Sequence, residues 1–381
     1  MQGNASGGGH LQRRGTTAMP RKVRRVFLAL VLLCTCVLCA CRKEPQNPPT
    51  LRVLAWVGYD EPDFVHAIEK ELGAKIIVKT YVGGDQMYQL IRTAPAGTYD
   101  VVDVDVEYGE RLYREGALFP LAPALWTADD AFAPFRQGGP ARTGDAVYGS
   151  VVRWGALGLV YNSEHVTADE AHSYSILWDP KLKDKIVAFD WYLPSMGVLS
   201  RYLGNPEPYA LSKVELTKLE SKLMELKPSI RSVHAATGDV IRDLGAQEAW
   251  VSFGIGEWAA AVLAEQGKPI AWTVPKEGGV MWVEALAIPK SATHEELSER
   301  FIQAVRRPEN LAKLAWRQAY HSQVPRKSAY THLSDDQRKL LKAENIDSLE
   351  ELAQSLSIRR LPGPNTSEAE WMKVWSNFKL R

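Results

Sequence analysis

The sequence predicts an α/β protein of two lobes, each a mainly parallel sheet flanked by helices. The chain has 381 residues, which is too long for one compact core and suits two domains of ordinary size. Apolar strands alternate with amphipathic helices in two successive series, the first beginning near Leu51 and the second near Leu157. About 45% of the residues are hydrophobic and 24% are charged. This composition is typical of soluble globular proteins and excludes a disordered chain and a multispanning membrane protein.

The first series has the pattern of a βαβαβ unit. Asp60 is expected to cap its first helix, which ends at Gly73. The apolar face of this helix consists of Phe64, Ile68 and Leu72. In chain order, the sequence predicts a strand at 51–56, this helix, a strand at 74–81, a helix at 85–92 and a strand at 99–104.

The second series continues the alternation towards the end of the chain. Its predicted strands are 157–161, 185–189, 230–234, 249–253, 270–274 and 280–288. Helices are predicted between several of these strands and, after them, at 295–306, 310–316 and 368–378.

The first 40 residues have the features of an export signal. The apolar run from Val26 to Ala40 has roughly 15 residues, short of the ~20 that span a bilayer but typical of a signal-peptide core. Basic residues precede it, and Met19 is a second candidate for the true start. Arg24 and Arg25 resemble a twin-arginine signal, but the very apolar run after them favours the general secretory route.

The cysteines predict a lipid anchor. All four, Cys34, Cys36, Cys39 and Cys41, lie in or just after the apolar run, so the chain beyond Cys41 can form no disulfide and carry out no thiol catalysis. The run from Leu38 to Cys41 resembles a bacterial lipobox, with the small residue Ala40 before the last cysteine. We therefore expect a signal peptide at 1–40, lipidation at Cys41 and a proline-rich tether to residue 50. An ordinary membrane anchor, the alternative, needs a longer apolar run.

Export changes the charge of the protein. Residues 1–40 contain six basic and no acidic side chains, so their removal shifts the formal charge from +1 to −5. A mildly acidic chain argues against a nucleic-acid partner and suits a cationic ligand.

The sequence motifs do not favour an enzyme. No G-x-S-x-G elbow, P-loop or H-E-x-x-H site occurs. Residues 254–259 match the dinucleotide pattern G-x-G-x-x-A, but Glu257 would face the pyrophosphate and Trp258 is too bulky for that loop. We therefore predict no catalytic residues, no cofactor and no metal.

Aromatic and acidic residues recur at the ends of predicted strands, where parallel sheets bind ligands. They are Trp56, Tyr59, Asp105, Glu107, Asp190, Trp191, Glu257, Trp258, Trp282 and Glu284. Any one of them has an ordinary explanation as a core residue or a helix cap. Together they suit an ammonium group, because aromatic faces attract a cation and carboxylates replace its hydration.

At these positions the chain resembles the spermidine/putrescine-binding proteins of bacterial ABC importers. The resemblance extends from Leu51 to about Pro325 and rests on nine segments in the same order. They are Trp56-Val57-Gly58-Tyr59, Thr80-Tyr81, Met87-Tyr88, Tyr99-Asp100-Val101-Val102, Trp154-Gly155, Leu177-Trp178-Asp179-Pro180, Pro275-Lys276-Glu277-Gly278-Gly279, Trp282-Val283-Glu284 and Ala285 to Pro289.

The resemblance implies a type II periplasmic binding protein, in which the chain crosses between two lobes that close on a ligand. The first lobe would comprise 51–156 plus 283–327, and the second 157–282 plus 328–381. It also implies that Trp56, Tyr59, Trp282 and Tyr320 enclose a polyamine chain, and that Glu284 binds one of its amines.

Several positions depart from the family pattern. Asp105 and Glu107 stand where the family has a small polar residue and an aromatic one. Trp191 and Pro194 replace an acidic pair of the second lobe, although Asp190 is adjacent. Gly256 replaces a tryptophan, with Glu257 and Trp258 directly after it. These changes favour a shorter diamine such as putrescine, or another amine held by Asp105, Glu107 and Glu284.

The expected function is that of an extracytoplasmic solute-binding lipoprotein of an ABC importer, with a polyamine bound between the lobes. Its partners would be the permease subunits and, through the lipid, the membrane at the periplasmic or cell-surface side; a monomer is expected. The alternatives are the same scaffold with another organic cation or an amino-acid-derived solute, and an extracytoplasmic sensor or enzyme.

Overall fold

A computed structural model describes residues 48–380. Its strands are β1 (Thr50–Trp56), β2 (Lys75–Tyr81), β3 (Val101–Asp105), β4 (Arg142–Thr143), β5 (Ala146–Val147), β6 (Ser150–Asn162), β7 (Ile186–Phe189), β8 (Ile230–His234), β9 (Val251–Gly256), β10 (Ile270–Thr273), β11 (Val280–Ala287) and β12 (Ser357–Ile358). Its α-helices are α1 (Pro62–Leu72), α2 (Gly84–Thr93), α3 (Val106–Arg114), α4 (Tyr192–Tyr202), α5 (Lys213–Leu226), α6 (Thr237–Gly245), α7 (Glu257–Glu265), α8 (Glu295–Val305), α9 (Pro308–Ala315), α10 (Asp335–Leu340), α11 (Ile346–Ser355) and α12 (Glu368–Lys379). Short 3₁₀ helices occupy Pro123–Leu125, Ala133–Ala141, Glu170–His172, Tyr174–Trp178, Pro180–Leu182, Lys227–Ser229 and Lys327–His332.

Ten of these strands form one sheet in the order β2-β1-β3-β11-β6-β9-β7-β8, with β10 beside β6 and β12 beside β11. At one end, β1 lies parallel between β2 and β3. At the other end, β7 lies parallel between β8 and β9. Between the two ends, β11 and β6 run antiparallel to each other and to the strands that flank them. Two parallel three-stranded units are therefore joined through one antiparallel pair.

One of the two joining strands, β6, is longer than its local pattern predicts, whereas β11 occupies nearly its predicted range. β6 has 13 residues, all of them buried, and it begins at Ser150 rather than at the predicted Leu157. β11 pairs with β6 from Val280 to Leu286. Both strands therefore run through the places where the lobes were divided, after residues 156 and 282, and the lobe boundaries stay a prediction.

The first helix shows how local sequence sets an element. The predicted apolar face is buried and comprises Phe64, Ile68 and Leu72. Gly73 ends the helix in the left-handed region, with φ of 62°, which glycine adopts without a Cβ penalty. The start differs from the prediction, because Pro62 opens the first turn and Glu61, not Asp60, is the capping residue. The Asp60 carboxylate instead accepts from the Gly58 N–H at 3.1 Å.

The end of the chain completes the sheet. α12 was predicted at 368–378 and occupies Glu368–Lys379. β12 has only two residues and was not predicted; it pairs in parallel with β11. Directly after it, the Arg359 N–H donates to the Met281 carbonyl at 2.8 Å. This short strand brings Arg359 to the middle of the sheet.

Within residues 48–380, no helix is both long and apolar enough to cross a bilayer. The predicted signal peptide, Cys41 and most of the tether lie outside the described residues.

Candidate functional site

A cavity opens beside the central strands, with an empty volume of about 680 Å³ that includes its open mouth. It lies where β1 and β3 end and where β11 passes them. Its lining residues are Trp56, Val57, Val82, Asp105, Leu157, Phe189, Trp191, Pro194, Thr237, Gly254, Trp258, Trp282, Glu284, Ala319, Tyr320 and Arg359. Of the candidate residues that the sequence analysis named, seven are among them, namely Trp56, Asp105, Trp191, Trp258, Trp282, Glu284 and Tyr320.

Two groups of aromatic rings contribute to the wall. The Trp56 ring lies 5.1 Å from that of Tyr81 and 6.3 Å from that of Trp191, measured between centroids. Trp282 meets Tyr320 edge to face, with centroids 6.3 Å apart. Such walls offer ring faces to a cation and apolar surface to a methylene chain.

Glu284 is an acidic residue that lines the same cavity as these rings. Trp282 and Glu284 are two residues apart on β11, so their side chains point to the same face. The Glu284 carboxylate accepts from the hydroxyls of Tyr59 at 3.0 Å and Tyr320 at 2.7 Å. Tyr59, a predicted site residue, thus holds Glu284 from behind and does not line the cavity.

Burial disfavours the charged form of the acids here. It raises the pKa of Glu284 above its ordinary value, although the nearby Arg153 guanidinium opposes the shift. The pKa of Asp103 is raised further by burial and by the charges of Glu284 and Asp105. A cation placed among these groups would therefore be strongly favoured, because it would let them ionise.

Asp105 and Glu107 are already paired with a cation from the chain itself. Arg359 donates through Nη2 to Asp105 and through Nε to Glu107 at 2.5 Å. Burial raises the pKa of Glu107 to about 7, against the pull of Arg359 and with the help of Asp105. Glu107 lies behind Arg359 and does not line the cavity.

Asp190 is a predicted site residue that the structure does not place in the cavity lining. It accepts from Trp375 Nε1 and from Lys379 Nζ, both at 2.8 Å and both on α12. Trp191, the next residue, faces the cavity. Neighbouring residues in extended backbone point in opposite directions, so the two could not share one site.

Glu257 also lies outside the lining. Its side chain is fully buried, and its Oε2 accepts from the Ala156 N–H at 3.0 Å. Burial raises its pKa to about 8. At Gly256, a Cβ would lie 1.6 Å from the Ala156 carbonyl oxygen, so no larger residue fits at this position. Trp258, two residues later, supplies a ring to the cavity lining.

Sequence reasoning missed three charged residues of this region: Asp103, Arg153 and Arg359. Arg153 was visible as a single charge within the apolar strand β6, and Asp103 as one of two acids in the short strand β3; charges in such strands are a signal of paired or functional groups. Arg359 had no such signal, since it follows a two-residue strand and reaches the site only through the packing of the chain end.

Within the described part of the chain, no group of three or more His, Cys, Asp or Glu side chains is arranged to hold a metal ion. The cavity lining offers aromatic faces, the Glu284 carboxylate and a guanidinium, that of Arg359, which is paired with Asp105.

Comparison with known proteins identifies the family and the fold. A family model described as bacterial extracellular solute-binding protein matches residues 63–338. The spermidine/putrescine-binding periplasmic protein of Salmonella typhimurium is 28% identical over 267 residues, which cover 70% of this chain and 75% of that protein.

Solved structures show the fold. The spermidine/putrescine ABC transporter substrate-binding protein of Streptococcus pneumoniae superimposes with a TM-score of 0.71 at 19% identity, covering 87% of this chain and 99% of the other. The TpPotD lipoprotein of Treponema pallidum gives a TM-score of 0.74 at 16% identity, covering 87% and 100%. The predicted two-lobed α/β class is confirmed by these structures.

Proposed function

This chain belongs to the bacterial extracellular solute-binding protein family, and from that membership we propose that it captures a polyamine or similar organic cation for an ABC importer. The family resemblance found in the sequence is confirmed. Its family consists of binding proteins and not of enzymes, as expected. The curated relative in Salmonella typhimurium is named for spermidine and putrescine, which makes these amines the first candidates.

The observation that carries the proposal is Glu284 on the wall of an aromatic cavity. Its carboxylate is oriented by two tyrosine hydroxyls and shares the lining with Trp56 and Trp282. A carboxylate in this setting can accept charge-assisted hydrogen bonds from an ammonium group while the rings cover the adjoining methylenes.

The balance of buried charge supports a cationic ligand. Two buried acids, Asp105 and Glu284, line the cavity. Asp103 and Glu107, each two residues from Asp105, are buried as well. Two buried arginines, Arg153 and Arg359, accompany them. If all six were ionised, the cluster would carry two excess negative charges, and buried charge without a partner is costly.

Putrescine should therefore stabilise the protein. A ligand that binds only the folded state adds about 2.7 kcal/mol at a hundredfold excess over its dissociation constant, so the melting temperature should rise by several degrees. A thermal-shift series with putrescine, spermidine and spermine tests this, with glutarate as an anionic control of similar length. No shift with any amine at millimolar concentration would contradict the proposal and leave an amino-acid-derived solute as the alternative.

We also propose that the mature chain begins at Cys41, carries lipid there, remains a monomer and docks on a membrane permease. The lipobox-like run before Cys41 and the proline-rich segment after it support the anchor. Mass spectrometry of the native protein should find residue 41 as an acylated amino terminus, and Cys41→Ser should move the protein out of the membrane fraction. An unmodified mature chain that begins elsewhere would refute the anchor.

A further inference from the structure

We propose that Arg359 is a built-in occupant of one cation position of the cavity, so that a bound polyamine is recognised through one ammonium end only, at Glu284. The inference rests on the proposed function, since it assumes that the ligand is an organic cation. It goes further, because it states how many ammonium groups of the ligand the site binds through a charged contact.

The surroundings of Arg359 are those of a bound cationic ligand group. Its Nε and Nη2 donate to two buried carboxylates, Glu107 and Asp105. Its Cζ lies 4.3 Å from the centroid of the Trp191 ring. Two carboxylates and one aromatic face are the combination that binds an ammonium or guanidinium ligand, and here the chain supplies the cation as well.

The position of Arg359 places this pair beside Glu284. Asp105 on β3 is the direct partner of Glu284 in the antiparallel β3/β11 ladder. Arg359 follows β12, which pairs with the opposite end of β11, so it enters the space beyond the end of β3. Asp105 and Glu284 are thus neighbouring acids in one cavity, and Arg359 has already neutralised one of them.

The rest of the lining offers no further carboxylate to a second ammonium group. Among the described residues that line the cavity, Asp105 and Glu284 are the acids and Arg359 is the base. The wall formed by the β7 and β9 side consists of Phe189, Pro194, Thr237 and Gly254, besides the Trp191 and Trp258 rings. An ammonium group moved there would lose hydration without gaining a carboxylate.

A matched pair of ligands tests this in the parent protein. Calorimetric titration should compare putrescine with aminobutanol, in which a hydroxyl replaces one ammonium group. We expect the affinities of the two ligands to agree within about threefold, because the site makes a charged contact with only one ammonium group. A preference for putrescine of about tenfold or more, the size of a discrimination by one charged contact, would overturn the inference while leaving the proposed function intact. Failure of both amines to bind would refute the proposed function, and this inference with it.

Arg359→Ala tests the occupied position directly. The variant should lose thermal stability when empty, because Asp105 and Glu107 remain buried without their partner. Millimolar methylguanidinium should then raise its melting temperature by several degrees and leave that of the parent unchanged. Putrescine should now bind at least about tenfold more tightly than aminobutanol.

A control variant shows whether methylguanidinium acts at this site or stabilises the protein in general. It also covers the case in which the single variant misfolds. Arg359→Ala combined with Asp105→Asn and Glu107→Gln removes the guanidinium and both charges, which leaves a neutral cluster. It should fold but show neither the methylguanidinium response nor the preference for putrescine. If Arg359→Ala folds and responds no more than this triple variant, Arg359 holds the fold together and occupies no ligand position.

Discussion

Glu284→Gln should weaken putrescine binding by at least tenfold. Glutamine keeps the shape of the side chain, and its oxygen can accept from one of the Tyr59 and Tyr320 hydroxyls while its amide donates to the other, but it removes the charge that faces the ligand. Truncating one partner of a desolvated ion pair costs on the order of 2 to 5 kcal/mol of binding, and about 1.4 kcal/mol corresponds to tenfold in affinity.

The empty variant should be as stable as the parent, or more so. Burial raises the pKa of Glu284, which means that its charged form is disfavoured in the folded protein and that a neutral isostere relieves this cost. Calorimetric titration beside melting curves of the unliganded proteins separates the two effects. A purely structural Glu284 would show the reverse: a less stable empty protein and unchanged affinity.

Glu257→Gln is the matched control, because it makes the same replacement at another fully buried acid. Glu257 does not line the cavity, and its carboxylate accepts from the Ala156 backbone. Its replacement should leave putrescine affinity within about twofold of the parent at neutral pH. If both variants lose affinity equally, the effect belongs to the charge of the whole region and not to a contact at Glu284.

The second large effect concerns pH: the parent should lose stability as pH rises from about 4.5 to 8, and Glu257→Gln should remove part of that loss. Burial raises the pKa of Glu257 from 4.5 to about 8. Between these values the folded protein holds a proton at Glu257 that the unfolded chain has released. The contribution of this proton to the free energy of unfolding is therefore largest below the unfolded pKa of 4.5, and it is lost as pH rises through the folded pKa of about 8.

Glutamine mimics the protonated acid at every pH, so the variant should gain stability over the parent as pH rises. The gain in the free energy of unfolding should grow by roughly 1.4 kcal/mol per pH unit between the two pKa values and then level off. Urea unfolding of both proteins at pH 5, 7 and 9 measures it. A difference that does not change with pH would show that Glu257 is ionised in the folded protein.

Local patterns predicted those parts of the fold that depend on neighbouring residues. The buried face of α1 and its glycine stop follow from spacing and from the backbone freedom of Gly73. The strand ends at Trp56 and Asp105 were found because apolar runs stop there. Trp282 and Glu284 could be assigned to one face of a strand from their spacing alone.

What the sequence could not supply is pairing between distant segments. Arg359 meets Asp105 across more than 250 positions of the chain, and no periodicity marks such a contact. The true length of β6 could not be predicted for the same reason. Arg153 and Trp154 interrupt the pattern of this strand, and their side chains donate hydrogen bonds to a later segment, around Tyr320 to Val324. The hydrogen bond between Asp190 and Trp375 on α12 could not be predicted for the same reason, because the two residues are 185 positions apart.

The location of Arg359 also has a consequence for how the protein is made. Asp105 and Glu107 are translated early, and their only buried cationic partner in the described structure follows some 250 residues later. A nascent or partly translocated chain therefore cannot bury these two acids without cost, since an unpaired buried charge destabilises a fold by about 3 to 5 kcal/mol. The charge pattern of the cavity is therefore complete only once the segment that carries Arg359 has packed against β11.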